Sequence, residues 1–158
     1  MFAKGTLGFR RRFSIPEVEA HCDGPCGVYD PASARIAAEA VLSLTRKLKE
    51  LDHPERGSKE AHDGFLNTAA RYIAVKEEQA EIAKREILVL WTDYFGREHL
   101  EEHPGLHDLV WRAAKLCSAC KHEVSVARCE DLLAAVKEIH EIFWRTKNRD
   151  VPWILAAG

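Results

Sequence analysis

The chain has 158 residues, 46% of them hydrophobic, which suits one domain with a sizeable buried core and leaves little room for a second. Its 23 Lys and Arg nearly balance 25 Asp and Glu, which argues against a nucleic-acid or anionic-membrane partner and favours a small reactant. Five cysteines, an odd number, exclude a fully paired disulfide framework and favour thiol or metal chemistry in a reducing compartment.

Residues 1–20 contain Gly5, Gly8, Pro16, the basic cluster Arg10, Arg11 and Arg12, and then Glu17 and Glu19, without a sustained period. They read as a flexible leader. The three arginines resemble a twin-arginine export signal, but the residues after them are too polar for the apolar segment such a signal needs. With no apolar run long enough to span a bilayer, the expectation is a cytoplasmic protein that does not enter a membrane.

Residues 21–30 are dense in Cys, Gly, Pro and Asp, which favours tight turns, and Asp30-Pro31 then supplies an N-cap and a first-turn proline. A first helix is predicted from there to about Asp52, with Ile36, Ala40, Leu44, Leu48 and Leu51 as its apolar face. Ser58 caps a second and longest helix, with Phe65, Ala69, Ile73, Ala80, Ala83, Ile87 and Leu90 as its stripe. Gly96 and Pro104 bracket a connection holding Arg97, His99 and His103. Leu106, Leu109, Val110, Ala113 and Cys117 mark a third helix. Leu132, Leu133, Val136, Ile139 and Phe143 mark a fourth, with Arg145 and Lys147 at the end where cations suit the helix dipole. The fold class expected is all-α, an antiparallel four-helix bundle with an N-terminal metal-binding hook. It divides into a cleavable leader (1–20), a bundle domain (21–149) and a tail (150–158) whose Pro152, Trp153 and Ile154 are apolar enough to dock.

The segment that carries chemistry is His21-Cys22-Asp23-Gly24-Pro25-Cys26-Gly27-Val28-Tyr29-Asp30-Pro31. Its two thiols, in a proline- and glycine-rich loop, can turn onto one ion. Because His21 directly precedes Cys22, cleavage after Ala20 would place a free amine beside an imidazole. That amine, the Cys22 amide nitrogen and the Cys22 thiolate close two five-membered chelate rings, which favour a square plane. Cys26 can fill the fourth corner, and the His21 imidazole can take an axial position. Such a tetragonal nitrogen and sulfur set suits nickel or copper, whereas zinc prefers a tetrahedron. Electron-rich thiolate and amidate donors point to redox work.

This run resembles the nickel hook of the nickel superoxide dismutases. Ala34-Arg35-Ile36, Ala80-Glu81-Ile82-Ala83-Lys84, Leu90-Trp91-Thr92-Asp93-Tyr94-Phe95 and Ile142-Phe143-Trp144-Arg145-Thr146-Lys147 are similar to further family segments. The resemblance implies disproportionation of superoxide to oxygen and hydrogen peroxide, nickel cycling between its divalent and trivalent states, a homohexamer, and a peptidase that removes the leader. Carried over by position, it makes His21, Cys22 and Cys26 the nickel ligands. It makes Tyr29 a gate at the open axial side, Asp23 a support of the loop and Tyr94 a second tyrosine near the site. The bond before Pro25 matches one that is cis in the family. Gly24 replaces a common leucine, and Ala37 and Gln79 stand where the family commonly has a glutamate and an arginine that bond to the imidazole. That change alters how the His21 ring would be oriented.

Other clusters have simpler readings. Cys117, Cys120, His122 and Cys129 contain enough ligands for zinc, but small buried side chains at a helix junction are the expectation. His99, His103 and His107 are interrupted by Pro104 and are expected to be solvated loop residues. Trp91, Trp111 and Trp144 are expected in the core or at subunit contacts. A nickel or copper carrier without redox activity shares the ligands and is the alternative function. A di-iron protein would need two inward Glu-x-x-His pairs, and Glu50-Leu51-Asp52-His53 supplies one.

Overall fold

The computed structural model describes residues 26–54 and 56–156. Four helices form the bundle: α1 (Ala32–Glu50), α2 (Lys59–Val89), α4 (Leu106–His122) and α5 (Val126–Thr146), with the short α3 (Arg97–Glu102) between α2 and α4. No strand occurs among the described residues. Asp30 Oδ1 accepts the Ala32 N–H at 2.8 Å, so the aspartate and Pro31 start α1 as their sequence predicts. Ser58 Oγ likewise accepts the Ala61 N–H at 3.3 Å at the start of α2, and Ser125 Oγ accepts the Arg128 N–H at 3.4 Å at the start of α5.

The helices pack around a square in the order α1, α2, α4, α5 and back to α1. Contacts across the interfaces run in opposite directions, which makes neighbours antiparallel. Tyr29, before α1, reaches Asp93 after α2; Lys84 meets Ser118, and Lys76 meets Cys120; Thr45 meets Cys129. Ala83, Ile87, Leu106, Ala113, Leu132, Val136 and Phe143 form the centre of the core.

The face that α1 buries differs from the one its large aliphatics predict. Ala34, Ala37, Ala38, Val41, Leu42 and Thr45 point inward, while Ile36 is 55% exposed and Leu44 and Leu48 are half-buried. Small side chains allow α1 to approach α2 and α5 closely, so alanines rather than leucines define the buried stripe. In α2 the predicted stripe is buried only from Ala80 onward. At roughly 46 Å against roughly 26 Å for α4, α2 is longer than the helix beside it, and its first turns carry exposed Leu66 and Ile73. There the ring of Phe65 meets that of His53, from the α1–α2 connection, at 4.7 Å.

Two further features complete the packing. Lys76 is 1% exposed and lends its ammonium to the end of α4, where Nζ donates to Cys120 O (2.7 Å), Glu123 O (2.9 Å) and Lys121 O (3.5 Å). Helix C-termini leave carbonyls without intrahelical donors, and a cation suits them by charge as well. The second feature is the tail. His140 Nε2 donates to Val151 O at 2.9 Å, Trp153 meets the His140 ring edge-on at 5.3 Å, and Arg35 donates to Ile154 O. The tail thus lies across α5 and α1; of the three residues expected to dock, Trp153 packs on the core together with Val151, whereas Pro152 and Ile154 stay exposed.

Candidate metal centre

Of the residues predicted to hold or support the metal, His21, Cys22 and Asp23 lie outside the described residues, as does the bond before Pro25. Cys26 and Tyr29 are described. Cys26 is an exposed free thiol in the extended segment leading into α1. Gly27 follows with φ +66°, a left-handed conformation open to glycine at little cost, and this turn bends the chain immediately after the thiol. Among the described residues no three His, Cys, Asp or Glu side chains converge, so no rival metal cluster competes for the ion.

Tyr29 is half-buried in an aromatic group assembled from the ends of three helices. Its ring lies 5.4 Å from that of Tyr94, and its hydroxyl donates to Asp93 O at 3.3 Å. The acceptor is placed by a π-helical turn, Leu90–Tyr94, at the end of α2. There Phe95 N–H reaches back five residues to Leu90 O at 2.9 Å, and the wider turn carries Asp93 and Tyr94 toward the start of α1.

Tyr94 is held on every side. Thr146 Oγ1 donates to Phe143 O at 2.7 Å, which leaves the Tyr94 hydroxyl to donate to Thr146 Oγ1 at 2.6 Å. The Tyr94 ring packs on Phe143 at 4.5 Å and stacks on His99 at 5.4 Å with 12° between planes, and Lys147 Nζ stands 4.8 Å from its centre. His99 Nδ1 accepts the Gly96 N–H at 2.9 Å, so its proton sits on Nε2 when the ring is neutral. This corrects the expectation of a solvated loop histidine for His99, which lies on α3 against Tyr94, whereas His107 is exposed on α4 with its ring 5.2 Å from that of Trp91.

Of the expected nickel donors only Cys26 is among the described residues. Cys26 is accessible, unbonded to another sulfur and turned by a glycine, close in sequence to a tyrosine with an anchored hydroxyl. Ala37 is 1% exposed and brings no polar atom toward an imidazole, whereas Gln79 is half-buried and keeps an amide that could donate. Cys117, Cys120 and Cys129 are buried free thiols and His122 is exposed, so these four do not form a second centre. Trp144 is buried, Trp91 partly so, and Trp111 is 59% exposed under Lys115. A groove of about 520 Å³ between α1 and α5, lined by Leu42, Arg46, Glu130, Leu133 and Trp153, includes none of Cys26, Tyr29 and Tyr94 and carries mixed charge.

Residues 16–147 match the family model of nickel-containing superoxide dismutase. The chain is 42% identical over 132 residues to a nickel superoxide dismutase of Streptomyces seoulensis, covering 84% of this chain and 92% of the relative. It is 42% identical over 131 residues to that of Streptomyces coelicolor, covering 83% and 91%. A native nickel superoxide dismutase structure superposes with a TM-score of 0.71 at 40% identity, covering 82% of this chain and all of the other, 100%.

Proposed function

The chain belongs to the nickel-containing superoxide dismutase family, and we propose that it holds its nickel through the His21 amine and imidazole, the Cys22 amide nitrogen and thiolate, and the Cys26 thiolate. It is an enzyme that converts two superoxide anions and two protons into oxygen and hydrogen peroxide. When bound, nickel supplies a one-electron couple between its divalent and trivalent states; the protein supplies the ligand field, the approach and the protons.

The observation that supports the assignment of residues is the position of Cys26 and Tyr29 three residues apart in the segment that leads into α1. Cys26 offers an exposed sulfur, and Tyr29, three residues on, keeps its phenol fixed against Asp93 O. Tyr29, fixed through its hydroxyl on Asp93 O and through its ring on Tyr94, is the gate past which a small anion reaches the metal. Tyr94, clamped by Thr146, Phe143 and His99, sets the back wall against which Tyr29 rests. Asp23 supports the loop by hydrogen bonding. Lys147, above the Tyr94 ring, adds positive charge on the side from which an anion arrives.

The His21 amine can be a ligand only after the peptide bond to Ala20 is cut, so maturation requires a peptidase acting on the leader 1–20. The bundle domain then spans 21–149 and the tail 150–158. Assembly as a homohexamer accounts for the exposed Val28 and Ile36 beside the hook. No described helix is long and apolar enough to cross a membrane, and the cytoplasm, where thiols stay reduced, is the compartment proposed.

The test compares two purified forms, one beginning at Met1 and one at His21, each supplied with nickel under reducing conditions. Superoxide consumption confined to the His21 form, with about one nickel per chain, is the expected result. Nickel bound without superoxide consumption would instead identify a carrier, and equal activity of both forms would remove the terminal amine from the ligand set.

A further inference from the structure

Tyr94 is held at both ends of its ring. Its backbone belongs to the π-helical turn Leu90–Tyr94, and its hydroxyl donates to Thr146 Oγ1 at 2.6 Å. Two fixed ends leave one motion open, rotation of the ring about its own long axis, and that torsion is intrinsically soft in an aromatic side chain. Among the described residues four rings surround it. Tyr29, Phe143 and Phe95 meet it obliquely, with 51°, 47° and 73° between planes. Of the four, the His99 imidazole alone lies nearly parallel to it, at 12° with 5.4 Å between centres, an offset stack of the kind aromatic pairs favour.

The imidazole is itself anchored. Gly96 N–H donates to Nδ1 at 2.9 Å, which ties the ring to the start of α3, and Phe95 meets the same ring edge-on at 5.8 Å. The His99 side chain is only 17% exposed. Glu98 Oε1 lies 3.8 Å from Nδ1, but in the neutral ring that nitrogen accepts the Gly96 bond and has no proton for the carboxylate. His99 therefore presents a flat face whose orientation is set by backbone.

We infer that His99 is a positioning residue of the dismutase: it sets the plane of Tyr94 and, through Tyr94, the seat of the Tyr29 gate. Its effect on the reaction rests on Tyr29 being that gate. The Tyr29 ring leans on Tyr94 at 5.4 Å, and its hydroxyl reaches the carbonyl of Asp93, the residue next to Tyr94. A turn of the Tyr94 plane moves the surface on which Tyr29 rests. The bond to Asp93 O, long at 3.3 Å for a hydroxyl donor, gives the phenol latitude to follow. No proton or electron passes through His99 in this role.

The experiment separates the ring from its hydrogen bond. His99→Asn keeps an acceptor at the place of Nδ1 for the Gly96 N–H and removes the flat face, whereas His99→Phe keeps the face and removes the acceptor. His99→Leu repeats the removal with the volume filled. Each full chain is made with 3-fluorotyrosine, and its three sites, Tyr29, Tyr72 and Tyr94, are read by fluorine NMR without metal. In His99→Asn and His99→Leu the signals of Tyr94 and Tyr29 should move, while that of Tyr72, roughly 25 Å back from the end of α2, stays. In the nickel-loaded form beginning at His21, the same two variants should lower kcat/KM and weaken competition by azide by roughly twofold to tenfold, with kcat little changed. His99→Phe should recover most of both. Tyrosine signals that stay in place in His99→Asn and His99→Leu, or losses in His99→Phe equal to theirs, would overturn the inference and leave the gate untouched. Signals that move with unaltered kinetics would instead remove Tyr29 as the gate, and the role of His99 in the reaction falls with it.

Discussion

Replacing Lys76 with methionine isolates the contribution of a buried charge to this bundle. Methionine keeps an unbranched apolar stem of similar length and removes only the ammonium, so the core stays filled. Lost with it are donations of 2.7 Å to Cys120 O and 2.9 Å to Glu123 O and a longer one to Lys121 O, all at the C-terminus of α4. Hydrogen bonds to a charged group contribute about 1.5–3 kcal/mol each, and of the carbonyls left behind that of Cys120 is buried while those of Lys121 and Glu123 are partly open to water. Against this, methionine avoids the cost of desolvating an ammonium, which consumes much of the gain. The balance is a loss of about 3 kcal/mol, or a drop in melting midpoint of roughly 6–12 °C for a chain of this size. Guanidinium unfolding followed by far-ultraviolet circular dichroism measures it, with Lys49→Met on the exposed face of α1 as the control. A Lys76→Met chain within about 0.5 kcal/mol of the parent would refute the capping role and point to water as the donor at these carbonyls.

Three further outcomes follow from the same geometry. Thr146→Val takes the acceptor from the buried side of Tyr94 and should cost about 1–2 kcal/mol by the same unfolding assay, whereas Thr146→Ser should recover most of it. Tyr29→Phe removes the donor to Asp93 O at a partly exposed site, so stability should change by less than about 1 kcal/mol. In steady-state superoxide kinetics its effect should fall on the saturation behaviour of the nickel-loaded His21 form and on competition by small anions. Trp153→Ala strips the ring that covers His140 and loosens the tail segment accepting its Nε2 proton, and should lower the melting midpoint by several degrees while leaving superoxide consumption unchanged.

The helices were legible because their apolar spacing and their caps agree; Asp30-Pro31 and Ser58 begin helices where the sequence places them. The stripes of α4 and α5 were legible for the same reason, since large aliphatics there coincide with the buried face. In α1 they do not. Periodicity weights size, whereas closely packed helices choose alanine, so Ile36 reads as core and is exposed. Lys76 escaped notice because a lysine scores as solvent-facing, and only the position of a carbonyl cluster on another helix makes its burial favourable. The π-helical turn at Leu90–Tyr94 leaves no compositional mark, and the rotation it gives Asp93 and Tyr94 appears only once α1 is packed beside it. The hook is the reverse case. Its proposed ligands rest on a local string, because chelate chemistry depends on adjacent atoms, whereas the packing of Tyr94 depends on residues from α3 and α5.

The measurement that bears most directly on the central claim is nickel K-edge X-ray absorption on the nickel-loaded form beginning at His21. The account predicts two sulfur scatterers with nitrogen completing a tetragonal set, and loss of one sulfur in Cys26→Ser. Nickel surrounded only by nitrogen and oxygen, or an unchanged sulfur count after Cys26→Ser, would contradict it.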